Sequence, residues 1–139
     1  MPLGSSPGPM PHFHDSDAPH WYCHIEMDVV DVDAARTYLR EQTVTEESNG
    51  MHSFEFFINE MTNPTKAVLV ECFRDDECQA AHLENLRGDQ FAQVFTNFRM
   101  SVYGNPPRST RDRMLANGFW PPAFEGEFRH FPYFMGFRG

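Results

Sequence analysis

Basic residues are scarce in this chain. Eleven Lys and Arg stand against twenty Asp and Glu, a net charge of −9 with histidine neutral. No basic stripe exists to neutralise phosphates, so a nucleic-acid partner is excluded. Long apolar runs are missing too. None approaches the ~20 residues that span a bilayer, and no membrane partner is expected. A charged n-region leading into an apolar core, the mark of a signal peptide, is not found at the N-terminus. Cysteine is limited to Cys23, Cys72 and Cys78. Three thiols cannot all pair and none lies in a CxxC arrangement, which fits reduced thiols in a cytoplasmic protein. There is no GxGxxG after a strand and no tight His/Cys/Asp triad, so no flavin, nucleotide or metal cofactor is expected.

What abounds is aromatic. Fourteen phenylalanines, two tryptophans and four tyrosines occur in 139 residues, of which 40% are hydrophobic. That length suits one domain with a real core. Residues 1–19 are rich in Pro, Gly and Ser and read as a flexible leader. A strand follows at 21–29, with Trp21, Cys23, Ile25, Met27 and Val29 on one face and Tyr22, His24, Glu26 and Asp28 on the other. Asp31 caps a helix to about Thr45, with an apolar stripe of Val32, Ala35, Leu39 and Gln42 or Thr43. Asn49-Gly50 marks a turn. Strands at 52–59 and 66–73 form a hairpin. Asp75, Asp76 and Glu77 open a second helix, where the macrodipole favours acids. Phe91, Val94, Phe95 and Phe98 then have helical spacing, and Met100–Gly104 gives a short fourth strand. Asn105-Pro106-Pro107 opens a helix that Gly118 ends.

The order β-α-β-β-α-β is the split βαβ of an α+β, ferredoxin-like fold: a four-stranded antiparallel sheet with helices on one face. The domain spans 20–104, and residues 105–139 form a C-terminal helix and aromatic tail packing on the domain or on a partner. Phe54, Phe56, Ile58 and Phe57 on the second strand, and Val68, Leu69 and Val70 on the third, make both sheet faces apolar. A second copy covering the open face, a homodimer, is therefore expected.

The block FEFFINEMTNPTKAVLVECFRDDECQAAHL (54–83) resembles the antibiotic-biosynthesis monooxygenase-like proteins of the dimeric α+β barrel superfamily. The shared pattern is an aromatic strand, an Asn/Pro loop, a VLVE strand and an acid-started helix bearing AHL. The resemblance covers roughly 21–104 and implies dimerisation by sheet packing. Its chemistry ranges over quinol and anthrone oxygenases, haem-degrading enzymes and members with no known reaction. At the position comparable to the haem-ligating histidine stands Phe95, so haem is not expected.

Four histidines crowd the first strand and its approach: His12, His14, His20 and His24. Residues four apart on a strand lie ~13 Å apart, whereas a metal needs each nitrogen within ~2.1 Å. His20 and His24 therefore do not share an ion, and His12 with His14 offers only a weak pair. As proton-transfer groups the sequence offers His24, His82, Glu71 and Glu55. Glu71 lies in an apolar strand where burial would raise its pKa, and Glu55 is expected nearly opposite it on the hairpin. His82 sits on the inward stripe of its helix, where a satisfied core histidine is the competing reading. Trp21, His52 (with Asn49 nearby), Phe54 and Phe56 are expected to touch a ligand. Trp120 and Tyr133 belong to a tail with eight rings in residues 119–139. So many rings must pack on something, as a structural arm or as a lid over the ligand.

The leading expectation is a cofactor-free monooxygenase acting on a phenolic, quinol or polycyclic aromatic metabolite in natural-product biosynthesis. A base removes a proton and the electron-rich anion reduces O₂. A cyclase or isomerase using the same pocket is the alternative, and a non-catalytic small-molecule-binding or stress protein is a third reading.

Overall fold

The computed structural model describes residues 20–86 and 88–136. His12, His14 and the expected leader lie outside them. Strand β1 (Trp21–Val29) leads into helix α1 (Val32–Ser48), followed by the β2 (Ser53–Asn59) and β3 (Lys66–Phe73) hairpin. Helices α2 (Asp76–Asn85) and α3 (Gly88–Val94) precede β4 (Phe95–Tyr103), then α4 (Arg108–Ala116) and β5 (Glu127–Phe131).

The strand order is β2-β3-β1-β4-β5. β1 lies antiparallel to β3 and β4, and β2 antiparallel to β3. The helices lie on one face. This is the expected ferredoxin-like split βαβ, with one difference: β5 adds to β4 in parallel, pairing Arg99 with Glu127 through Tyr103 with Phe131. The sheet is thus five-stranded and mixed, and part of the aromatic tail is one of its strands.

Local chemistry sets the element ends. Asp31 accepts from Ala34 N at 2.9 Å and Asp75 from Cys78 N at 2.8 Å, each capping a helix N-terminus. The expected Asn105 cap is corrected: α4 has no side-chain cap, and Asn105 Oδ1 instead accepts from Tyr133 N at 3.2 Å. The Phe91–Phe98 stripe is corrected as well. The helix stops at Val94 and β4 begins at Phe95, so Phe95 and Phe98 are strand residues. A register shift between Glu26 and Asp28 accompanies this start. There Asn97 takes a φ of +56°, which asparagine tolerates, and its Nδ2 donates to Asp28 Oδ2 at 2.8 Å.

The core lies between sheet and helices, where Trp21, Met27, Phe73, Phe95 and Val102 are all 2% exposed or less. Trp21 stacks on Phe73 with centroids 5.7 Å apart. On the opposite, open face lie His24, Glu55, Phe57, Val68, Val70 and Tyr103, a set that alternates with the core residues along β1–β4.

Gly126 is where the tail meets the domain. A Cβ there would stand 2.2 Å from Phe98 O and 2.9 Å from the Phe124 ring. Gly126→Ala should therefore push the segment before β5 away from β4, costing about 1–3 kcal/mol in urea unfolding. An unchanged midpoint would show that β5 is not docked as described.

Candidate functional site

α1 delivers the least expected member of the site. Its buried stripe is Ala35, Tyr38, Leu39, Gln42 and Glu46, so the helical period carries two polar side chains into the interior. Glu46 is fully buried. From α2, His82 meets it: Nδ1 contacts Glu46 Oε2 directly. From β3, Glu71 brings Oε2 to 3.0 Å from the other ring nitrogen, Nε2, in an ion-pair contact that lacks in-line hydrogen-bond geometry. One imidazole thus bridges two carboxylates, all three residues being buried. Asn49 Nδ2 (2.8 Å) and Gln42 Nε2 (3.4 Å) donate to the remaining Glu46 oxygen, Oε1.

Burial by itself would depress the His82 pKa. The charge of Glu71, the close contacts with both carboxylates and the charge of Glu46 outweigh it and push the pKa up to about 10. His82 is therefore an imidazolium at neutral pH. A protonated His82 has no free lone pair with which to take a proton, so it does not fit the part of a neutral imidazole base.

Because the folded-state pKa is raised, the stabilising contribution is complete below the unfolded value near 6.5 and is lost as pH rises through about 10. Thermal stability should accordingly fall between about pH 7 and pH 10, and His82→Phe should flatten that decline. An equally steep decline in the variant would place its origin elsewhere.

Glu71 and His82 line a cavity of about 900 Å³ between sheet and helices. Phe54, Phe56, Phe91, Phe98, Phe119 and Phe124 supply aromatic walls, and Gln42 and Gln79 add polar atoms near the triad. Gln79 is braced from behind, its Oε1 accepting from Arg113 at 3.0 Å. The same arginine grips Asp76 at 2.7 and 3.2 Å, fixing α4 against α2. That pairing, helped by Thr110 and Ser109, holds the Asp76 carboxyl down at about 2.

The three triad residues place one ligand atom each within 4.8 Å of one another, close enough in principle for a cation. His82, however, spends each nitrogen on a different carboxylate. An ion could take only one nitrogen and would disrupt the other contact. The arrangement fits a proton relay better than a metal centre.

The other sequence candidates are dispersed. β3 places Phe54, not Glu55, opposite Glu71. Glu55 pairs with Val70 and is exposed on the open face, correcting the expected carboxylate pair. His24 is also on the open face, its Nδ1 3.0 Å from Tyr103 Oη, so it and His82 cannot serve one ligand in one chain. Trp21 is core, and His52 contacts His20 near the start of β1; neither is among the cavity-lining residues. Phe54 and Phe56 do line it. Of the tail, Phe119 and Phe124 reach the cavity, while Trp120 packs edge-on against Phe128 at 4.9 Å and Tyr133 is exposed. Trp120→Ala should therefore lower the melting temperature without changing ligand affinity beyond about twofold, whereas Phe124→Ala should weaken binding. A Trp120 variant defective in binding but fully stable would reverse these roles.

No family model matches the chain, and no curated protein sequence matches it. Solved structures do. MupZ from Pseudomonas fluorescens is similar at a TM-score of 0.62 and 16% identity, over 86% of this chain and 94% of that one. PA3566 from Pseudomonas aeruginosa is similar at 0.51 and 11%, over 62% and 93%. SnoaB, a cofactor-independent oxygenase from Streptomyces nogalater, reaches 0.48 and 8% over 65% and 96%. Residues 1–104 make up about three-quarters of the chain, so the MupZ likeness must include part of segment 105–139. At these identities the likeness is one of fold, and the fold is ferredoxin-like.

Proposed function

We propose that this chain is an acid–base enzyme acting on a flat, largely apolar molecule held in the cavity between sheet and helices. The observation that carries the reading is the Glu71–His82–Glu46 triad at the wall of an aromatic cavity. Glu71 takes a proton from the substrate. The His82 imidazolium, 3.0 Å away, gives one to the anion that develops elsewhere on the same molecule. Glu71 then returns its proton to His82, and both are restored. Glu46, which does not line the cavity, keeps the imidazole oriented and charged. A base and an acid side by side suit ring closure or isomerisation, where protons are moved but not consumed.

A second reading keeps the same base and adds oxygen. The phenylalanine walls favour it, since they exclude water from a carbanion and admit apolar O₂. The deprotonated carbon would bond to O₂, and the hydroperoxide would lose water to leave a carbonyl. This is the cofactor-independent monooxygenase of the antibiotic-biosynthesis type. An oxygen electrode separates the two: one O₂ consumed per product supports the oxygenase, and turnover under argon supports the isomerase or cyclase. No conversion of any bound aromatic under either atmosphere would leave a binding protein and overturn both.

The working unit we propose is a homodimer closed over the open sheet face. Phe57 is 55% exposed, Phe131 50% and Tyr103 36% there, and Val68 and Val70 are half-buried. Light scattering at micromolar concentration should give about twice 16.1 kDa. A monomer would sink this assignment.

A further inference from the structure

α2 carries a second polar side chain to the cavity, Gln79, about one turn before His82. The two share a helix face at i, i+3 spacing, and both line the cavity. Gln79 is 2% exposed, so its amide sits in protein rather than in bulk water. Chemistry fixes which way that amide points. Its Oε1 accepts from Arg113 Nη1 at 3.0 Å, and a guanidinium can only donate. Turning the amide over would set N–H against N–H, so the oxygen must stay on the Arg113 side. Arg113 is itself held by Asp76 and is not a lining residue. The NH₂ end is thereby left for the cavity side. Nε2 has no hydrogen-bond partner among the described residues, and it keeps accessible surface, unlike the sealed Gln42 Oε1 and Glu71 Oε2. A donor fixed in a largely apolar wall with its partner position open is arranged to meet an acceptor.

We infer that Gln79 is the residue that binds the carbonyl oxygen of the reacting molecule. The ligand class is a carbonyl compound (a ketone, ester or thioester) whose oxygen accepts from Gln79 Nε2. Glu71 takes the proton from the carbon beside that carbonyl. The C–H electron pair then forms a carbon–carbon double bond, and the carbonyl π pair moves onto oxygen. Gln79 stabilises the oxyanion so formed. His82 gives a proton back at another position, so the electrons stay within the molecule. Gln79 itself transfers no proton. It selects the carbonyl and sets which neighbouring carbon faces Glu71. This deepens the function proposed above and rests on its reading of the cavity as the ligand site.

The pair 2-ethylnaphthalene and 2-acetylnaphthalene tests it, because they differ only in a CH₂ replaced by C=O. In the ¹⁵N-labelled full chain, the Gln79 side-chain amide, assigned by triple-resonance NMR, should shift downfield with the acetyl compound but not with the ethyl one. Titrated by fluorescence, Gln79→Met should lose about tenfold in affinity for the acetyl compound and stay within twofold for the ethyl one. Gln79→Glu keeps an acceptor for Arg113 but turns a carboxylate oxygen to the cavity, and it should lose at least as much. An amide signal that responds alike to both compounds would overturn the inference whether or not either variant folds. So would an equal loss for both compounds in Gln79→Met. If neither compound binds the parent, the cavity reading falls together with this one. Carbonyl-dependent binding with no carbonyl compound ever converted would instead retain Gln79 as a reader and refute the enzyme assignment alone.

Discussion

Glu71→Gln should lower turnover by about 10²–10⁴-fold, the usual span for a positioned general base. Glutamine keeps the shape of the cavity wall and cannot take the proton. Its amide oxygen still accepts a hydrogen bond, so ligand affinity should change far less than turnover. The substitution also removes the charge that contributes most to raising the His82 pKa. That pKa should fall, and with it the pH at which the acid role is lost. His82→Gln should damage turnover to a similar order, and combining the two should cost little more than either alone, since they act as one unit. Open-face changes are the comparison. His24→Ala and Glu55→Gln should retain parental turnover per folded protein. A Glu71→Gln enzyme of undiminished rate would remove the carboxylate from the mechanism.

The second large effect is on stability. Glu46→Leu should destabilise the fold by about 3–5 kcal/mol, because it strips a buried cation, His82, of one of its two counter-charges. It also leaves the Asn49 and Gln42 amides without their shared acceptor. Pairing it with His82→Leu should recover part of that loss, since removing both partners is cheaper than orphaning one. Urea unfolding of the two single variants and the double gives the coupling directly. Simple additivity would mean that the buried pair contributes no interaction of its own.

How far the sequence revealed this site depends on the element. β1 was legible because its alternation is strict: Trp21, Cys23, Ile25, Met27 and Val29 are all buried as read. The hairpin was legible from its aromatic and β-branched runs. Glu71 and His82 were visible as polar residues in apolar patterns, though nothing local says that they meet. That contact joins β3 to α2 across the fold. Glu46 was missed, yet a signal existed. It stands four residues after Gln42 on the α1 stripe, where ending the helix at Thr45 hid it. β4 was misread at its start because Phe91, Val94, Phe95 and Phe98 satisfy helical spacing, while the change to strand depends on pairing with β1. β5 was not read as a strand because its inward positions, such as Phe128, become so only once β4 is beside it.

The most direct test is a ¹⁵N-histidine NMR titration of the full chain, alone and with 2-acetylnaphthalene. The account predicts that His82 carries protons on both ring nitrogens through pH 8, and that its signals move on ligand addition while those of His24 do not. A neutral His82 at pH 8, or ligand-induced shifts at His24 with none at His82, would contradict it and move the site to the open face of the sheet.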